Sequence, residues 1–197
     1  MVTAADSGAK NWPAMFTWRS SDATRIESAR VQLSGNRIKA IGRIVAAASA
    51  DHPAFSVSYD LVTDDAGATK RLSVNSSTAE RERQLSIARD EENKWLISGN
   101  EGQSRADFGG AVDVDMMFSP LFTALAIRRT GVYLDGGAAT LPVVYVSLPD
   151  LSVAPATFSY TPAGGTGITV QSPIATTTVI VDENGFIVDY PGLAERI

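Results

Sequence analysis

The stretch DVDMMFSPLFTALAIRR, residues 113–129, sets Asp113 and Asp115 before an apolar run and Arg128 and Arg129 after it. Carboxylates two residues apart point the same way when they lie on a strand. Such a pair suits a hard cation or acid–base work on a sugar. Guanidinium groups that follow an apolar run begin near the core, where a charge needs a partner or a water-filled cavity. Two uses are open to them. Asp113 or Asp115 can take an arginine in a bidentate pair that fixes the local geometry. Alternatively, a guanidinium meets an anionic or hydroxyl-rich head group at the mouth of an apolar pocket.

Other chemistries find less support. The sole histidine, His52, precedes Pro53 in an extended turn, and no Gly-x-Ser-x-Gly elbow is present, so a hydrolytic triad lacks its parts. The chain contains no cysteine, which removes thiolate metal sites and thiol nucleophiles. A metal held by Asp113 and Asp115 would need further oxygen ligands, and none is visible nearby in the sequence. The Gly-rich GGTG segment lacks the Lys-Ser or Lys-Thr of a phosphate loop. With 22 acidic residues, any pair chosen for glycosidic chemistry is arbitrary. The expectation is a non-enzymatic protein with no catalytic residue, metal or cofactor. A hydrolase acting on a sugar or lipid ester through carboxylates is one alternative, and a β-edge protein-interaction module is another.

The formal net charge of −5, with the 17 basic residues scattered, argues against nucleic acid as a partner. No stretch has the length and apolarity to cross a bilayer, and the first residues lack the pattern of a secretory leader. The expected setting is cytoplasmic, without integral membrane association. At 197 residues, 44% hydrophobic and 20% charged, the chain is an ordinary globular composition. A chain of this length buries roughly 70% of its unfolded surface in one sizeable core. Residues 1–14 read as a flexible N-terminus and 15–197 as one domain.

The elements that must position these residues are mostly strands. TTVIVDENGFIVDY places Asn184-Gly185 between two alternating runs, a two-residue hairpin turn that matches strand twist. Gly35-Asn36, Gly67 and Gly136-Gly137 mark three further hairpins. Residues 79–89 mix helix-forming side chains with the alternation of Leu85 and Ile87, and read as a strand because a DEEN turn and the apolar KWLIS follow at once. Ser119-Pro120 starts a short helix, with Leu121, Phe122 and Leu125 as its apolar stripe. The 113–129 stretch thus reads as a strand, a turn of helix ending near Arg128, and a second strand. The three Trp and five Tyr residues are expected in core packing. The fold class is all-β, mainly antiparallel, with at most one or two short helices.

Three segments in order, DVDMMFSPLFTALAIRR, VVYVSLPDLSVAPATFSYTP and VIVDENGFIVDYPGL, resemble the glycolipid-binding family of bacteria. The shared features are a D-x-D, a Pro-containing segment leading to Ile-Arg-Arg, a Y-V-x-x-P-x-L strand and a D-x-x-G hairpin closed by D-Y-P. Weaker correspondence extends to Trp18, Glu27, Gly42, Trp95 and Gly99, so the likeness runs from about residue 16 onward. Ala124, Ala126 and Phe158 stand where the family usually carries Asn, Pro and Gln. The resemblance implies a spiral β-roll similar in outline to bacterial lipoprotein carriers. It also implies a glycolipid or other amphipathic small molecule as the ligand, enclosed by the curved sheet. The matching charged positions make Asp113, Asp115, Arg128, Arg129, Asp189 and Tyr190 the candidate ligand-binding residues.

Overall fold

The computed structural model describes residues 12–100, 102–134 and 136–197. The first part of the chain is an antiparallel meander of β1 (Ala14–Arg19), β2 (Arg25–Ser34), β3 (Arg37–Ala46), β4 (Phe55–Thr63), β5 (Thr69–Thr78), β6 (Glu82–Arg89), β7 (Trp95–Gly99) and β8 (Gly102–Ala106). A single 3-10 turn at Phe108–Gly110 leads into β9 (Asp113–Met116) and then the helix α1 (Pro120–Thr130). The chain ends in β10 (Ala139–Val146), β11 (Val153–Pro162), β12 (Gly167–Gln171), β13 (Thr176–Val181), β14 (Ile187–Tyr190) and β15 (Ala194–Arg196). Because β15 pairs with β1, both parts join into one 15-stranded sheet that runs from β8 through β1 and β15 to β9. The sheet curves without closing into a barrel. The all-β expectation holds.

The turn chemistry placed most of the hairpins correctly. Ser34 pairs with Arg37, so Gly35 and Asn36 form a two-residue loop, with Gly35 at φ +59°. Gly67 turns between β4 and β5, and Asn184-Gly185 between β13 and β14, where the loop is longer than the expected two residues. Asp182 N–H donates to the Phe186 carbonyl around Glu183–Gly185, and Gly185 but not Asn184 takes positive φ. Of residues 79–89, Glu82–Arg89 form the predicted strand, while residues 79–81 belong to the turn before it. Residues 1–11 of the expected flexible N-terminus lie outside the described residues. Just beyond them, the Trp12 ring packs 5.6 Å from Phe186 and β1 begins two residues later.

Two expectations fail together. Residues 131–134 form a turn rather than a strand, and no hairpin forms about Gly136-Gly137: β10 pairs in parallel with β9 and antiparallel with β11. Nor does a second strand begin at the arginines, since α1 continues through them to Thr130. The physical reason is the helix end. Gly131 adopts the left-handed conformation at φ 68° and donates its N–H to the Arg128 carbonyl, a C-cap that only a complete helix supplies. Two parallel strands cannot be joined by a tight turn, so the chain between them must cross over, here through α1.

Strands β3 and β4 alternate strictly between buried positions and positions that are mostly exposed in β3 and half-buried in β4, which puts one face of the sheet inside. That inside is filled by α1. All residues from Pro120 to Ile127 are buried, as expected of a helix that is apolar all round and carries only Thr123 as an interruption. The two parts of the sheet touch around it. Thr69 N–H donates to the Val112 carbonyl at 3.0 Å, Ser76 Oγ to Pro149 O at 2.7 Å and Trp95 Nε1 to Ala111 O at 2.8 Å.

Candidate functional site

At the start of α1, Ser119 is the N-cap and accepts from the Phe122 N–H, while its hydroxyl donates to Glu27 Oε1 at 2.6 Å. Tyr59 donates to the same oxygen at 2.6 Å. Glu27 lies on β2 and is 2% exposed. Burial pushes its carboxyl up to about 7 against the pull of these two hydroxyls. Its Oε2 is buried with no hydrogen-bond partner, and the Leu121 N–H at the start of α1 adds a weaker pull toward the charged form. Tyr59 reaches Glu27 across β3 because the residue between them is Gly42: a Cβ there would fall on the Tyr59 Oη and ring.

One turn further along α1, the Thr123 hydroxyl donates to Asp115 Oδ2 at 2.9 Å. Asp115 is also pushed up to about 7, first by burial and then by the charges of Glu27 and Asp113 nearby. Tyr190, Tyr145 and Tyr160 surround it, and burial followed by the negative charge of Asp115 raises all three phenols. The Tyr160 Oη is buried without a partner. The carboxyls of β2 and β9, on opposite walls, thus hold the first turns of the helix through Ser119 and Thr123.

At the other end of α1, Asp113 takes Arg129 in a bidentate pair. Nε lies 2.9 and 3.0 Å from the two carboxylate oxygens, and Nη2 lies 2.6 Å from Oδ2. That hydrogen bonding raises the guanidinium's ionisation further, and both oxygens of Asp113 are taken. Arg128 is different. Its Nε and Nη1 are buried without hydrogen-bond partners, and its Cζ sits 4.6 Å from the Phe186 ring and 6.0 Å from that of Tyr133. Aromatic faces take the place of a hydrogen-bonded carboxylate there, with the charge of Asp182 nearby. Asp189 stands apart from the other candidates, exposed on β14 opposite Ile180 and Glu195. The structure therefore gathers Asp113, Asp115, Arg129 and Tyr190 around α1, with Arg128 at its last turn, and leaves Asp189 outside. Among the described residues, no group of three or more His, Cys, Asp or Glu side chains is arranged to hold a metal ion.

A second region comes from residues that the sequence reading passed over. Where β6–β8 approach the 148–153 turn, an open seam holds a groove of about 520 Å³. Leu85, Ile97, Phe108, Leu151 and Val153 supply its apolar surface, and amides and hydroxyls such as Gln103, Asn100 and Ser152 line its rim. Phe108 and Leu151 stand at φ 47° and 59°. A bulky side chain in that region costs of order 1–3 kcal/mol, and such strain is found where a surface is shaped for a ligand. A neighbouring hollow of about 470 Å³ lies between Pro53, Ser76 and Pro149. Among the described residues, those common to both hollows are Arg83 and Asp150. The available signal was Arg83-x-Leu85, an arginine in register with an inward leucine on a strand.

The profile of the family described as "Putative glycolipid-binding" matches residues 15–196. A crystal structure of a DUF1089 family protein from Pseudomonas aeruginosa is similar, with a TM-score of 0.72 and 22% identity over 99% of this chain and 100% of that one. At that identity the likeness speaks for the fold. A search of curated proteins finds no match. Among the described residues, no helix is long and apolar enough to cross a membrane.

Proposed function

Because the chain belongs to the Putative glycolipid-binding family, we propose that it is a non-enzymatic binding protein for an amphipathic, sugar-bearing lipid seated in the seam groove. The observation that carries this reading is the groove itself: an apolar floor with a polar rim, shaped in part by two strained bulky residues. Its volume falls within the usual range for small-molecule sites. The hollow of the curved sheet, where a spiral roll in the manner of lipoprotein carriers would enclose acyl chains, is filled by α1. The chain portion of a ligand therefore uses the seam, and in this reading the residues around α1 are the frame that holds the seam in shape.

The same geometry weighs on the two alternatives. Asp113 gives both oxygens to Arg129 and Asp115 is bonded to Thr123, so neither is disposed as a free base. The exposed terminal strand β8 is the candidate edge for a partner strand. Its Arg105 is clamped to Asp90 and Glu92 at 2.8 Å, a charged feature of the kind that blunts an edge.

Methyl NMR titration with alkyl glucosides below their micelle concentrations tests the proposal. Resonances of Leu85, Ile97 and Leu151 should shift on binding. Each added methylene contributes about 0.8 kcal/mol, so two more carbons should tighten binding roughly tenfold. Shifts confined to other surfaces, or affinity independent of chain length, would overturn it.

A further inference from the structure

The seam's two hollows meet at a pair of side chains with unspent charge. Arg83 on β6 is half-buried and faces the same side as Leu85, and it makes no ion pair among the described residues. Arg89, Arg129 and Arg196 are committed to Asp64, Asp113 and Asp182, while Arg25 and Arg128, which form no carboxylate pair among the described residues, lie on aromatic rings. Among the described residues, exposed Asp150 engages only the Ser152 hydroxyl at 3.5 Å and no cation. Arg83 and Asp150 line the same two hollows, yet they stand too far apart for an ion pair with each other. A donor-only fork and an acceptor-only carboxylate thus line the same two hollows.

Charge decides what fits between them. Among the described residues around the junction, Arg81 and Arg83 are balanced by Glu80 and Asp150, and Arg81 already leans on Glu80 at 3.7 Å. A phosphate or sulfate would gain Arg83 and meet Asp150 as a like charge. An ammonium head would meet the reverse. A polyol presents hydroxyls that each donate and accept, so adjacent hydroxyls can accept from Arg83 and donate to Asp150 without burying a net charge. We infer that the Arg83–Asp150 junction reads an uncharged, hydroxyl-rich head group, with the alkyl chain running over Ile97, Phe108 and Leu151. This rests on the seam as the lipid's seat, and it adds the charge class of the head and the residues that select it.

Calorimetric titration of the full chain with decyl glucoside, decyl phosphate and decyltrimethylammonium, each below its micelle concentration, separates the two claims. The glucoside should bind about tenfold tighter than either charged probe. Asp150→Asn should narrow the gap to decyl phosphate. Arg83→Ala should weaken the glucoside about tenfold while leaving the unfolding curve unchanged, since both residues lie at the rim. Equal binding of all three probes, a preference for a charged head, or variants that keep full glucoside affinity would overturn the inference and leave the lipid seat standing. Failure of every probe to bind would remove both.

Discussion

The two ends of α1 and the seam are built from similar side chains put to opposite uses. Around α1, Asp113 and Arg129 satisfy each other, Glu27 and Asp115 are bonded to hydroxyls, and Arg128 lies on aromatic rings. At the seam, Arg83 and Asp150 share two hollows without pairing, beside an apolar floor. Charge next to apolar sequence marks both regions, and only the presence of an internal partner distinguishes them. A spent charge specifies architecture. An unspent one, at an opening, is available to a ligand.

Breaking the internal pair should give the largest effect. Arg129→Ala leaves the buried Asp113 uncompensated and should lower stability by about 3–5 kcal/mol in urea unfolding. The double variant Asp113→Leu with Arg129→Met should recover much of that loss, because two well-packed apolar groups need no partner. If Arg129→Ala were as stable as the parent protein, the pair would not be structural.

The second effect is a pH dependence centred on Glu27 and Asp115. Their folded-state carboxyls sit at about 7, above the ordinary values of 4.5 and 3.8, so the folded state binds protons more tightly than the unfolded one. Stability is therefore intact at acid pH below the ordinary carboxyl values. It falls as pH rises toward 7 and levels off above. For two fully buried groups this amounts to a few kcal/mol, on the order of one per unit of displacement. Glu27→Gln and Asp115→Asn should each flatten part of the slope measured by unfolding between pH 5 and pH 8, a range of about three units.

Gly42→Ala comes third. The new Cβ falls on Tyr59, expels its ring from β3 and breaks the hydrogen bond to Glu27, at about 1–3 kcal/mol as in other overpacked sites. Thermal unfolding checks it, and loss of the Tyr59 contribution to near-ultraviolet dichroism should accompany the shift. Smallest of all, Arg83→Ala and Asp150→Asn should stay within about 0.5 kcal/mol of the parent in urea, because neither has an ion-pair partner among the described residues. A large loss there would erase the contrast between the two regions.

Much of this was legible along the chain. Asn-Gly and Gly-Asn turns, the alternation in residues 82–89 and the Ser-Pro helix start are local signals, and each placed its element. The Gly136-Gly137 hairpin failed because glycines after a helix and before a crossover strand look the same, in sequence, as glycines of a tight turn. The charged stretch 113–129 was found but not divided: nothing local shows that Arg129 meets Asp113 while its neighbour Arg128, rotated 100° around the helix, meets Phe186. The seam was missed because its floor comes from β6, β7, the 3-10 turn and the 148–153 turn, segments far apart in the chain.

By itself the sequence determined the strand class, most of the turns, the start of the buried helix and the absence of cysteine chemistry, since these follow from neighbours a few residues apart. Which charges are spent and which face an opening was decided only by the tertiary structure. A carboxylate's partner is set by the curvature that brings β2, β9 and α1 together, and that curvature is a property of the whole sheet.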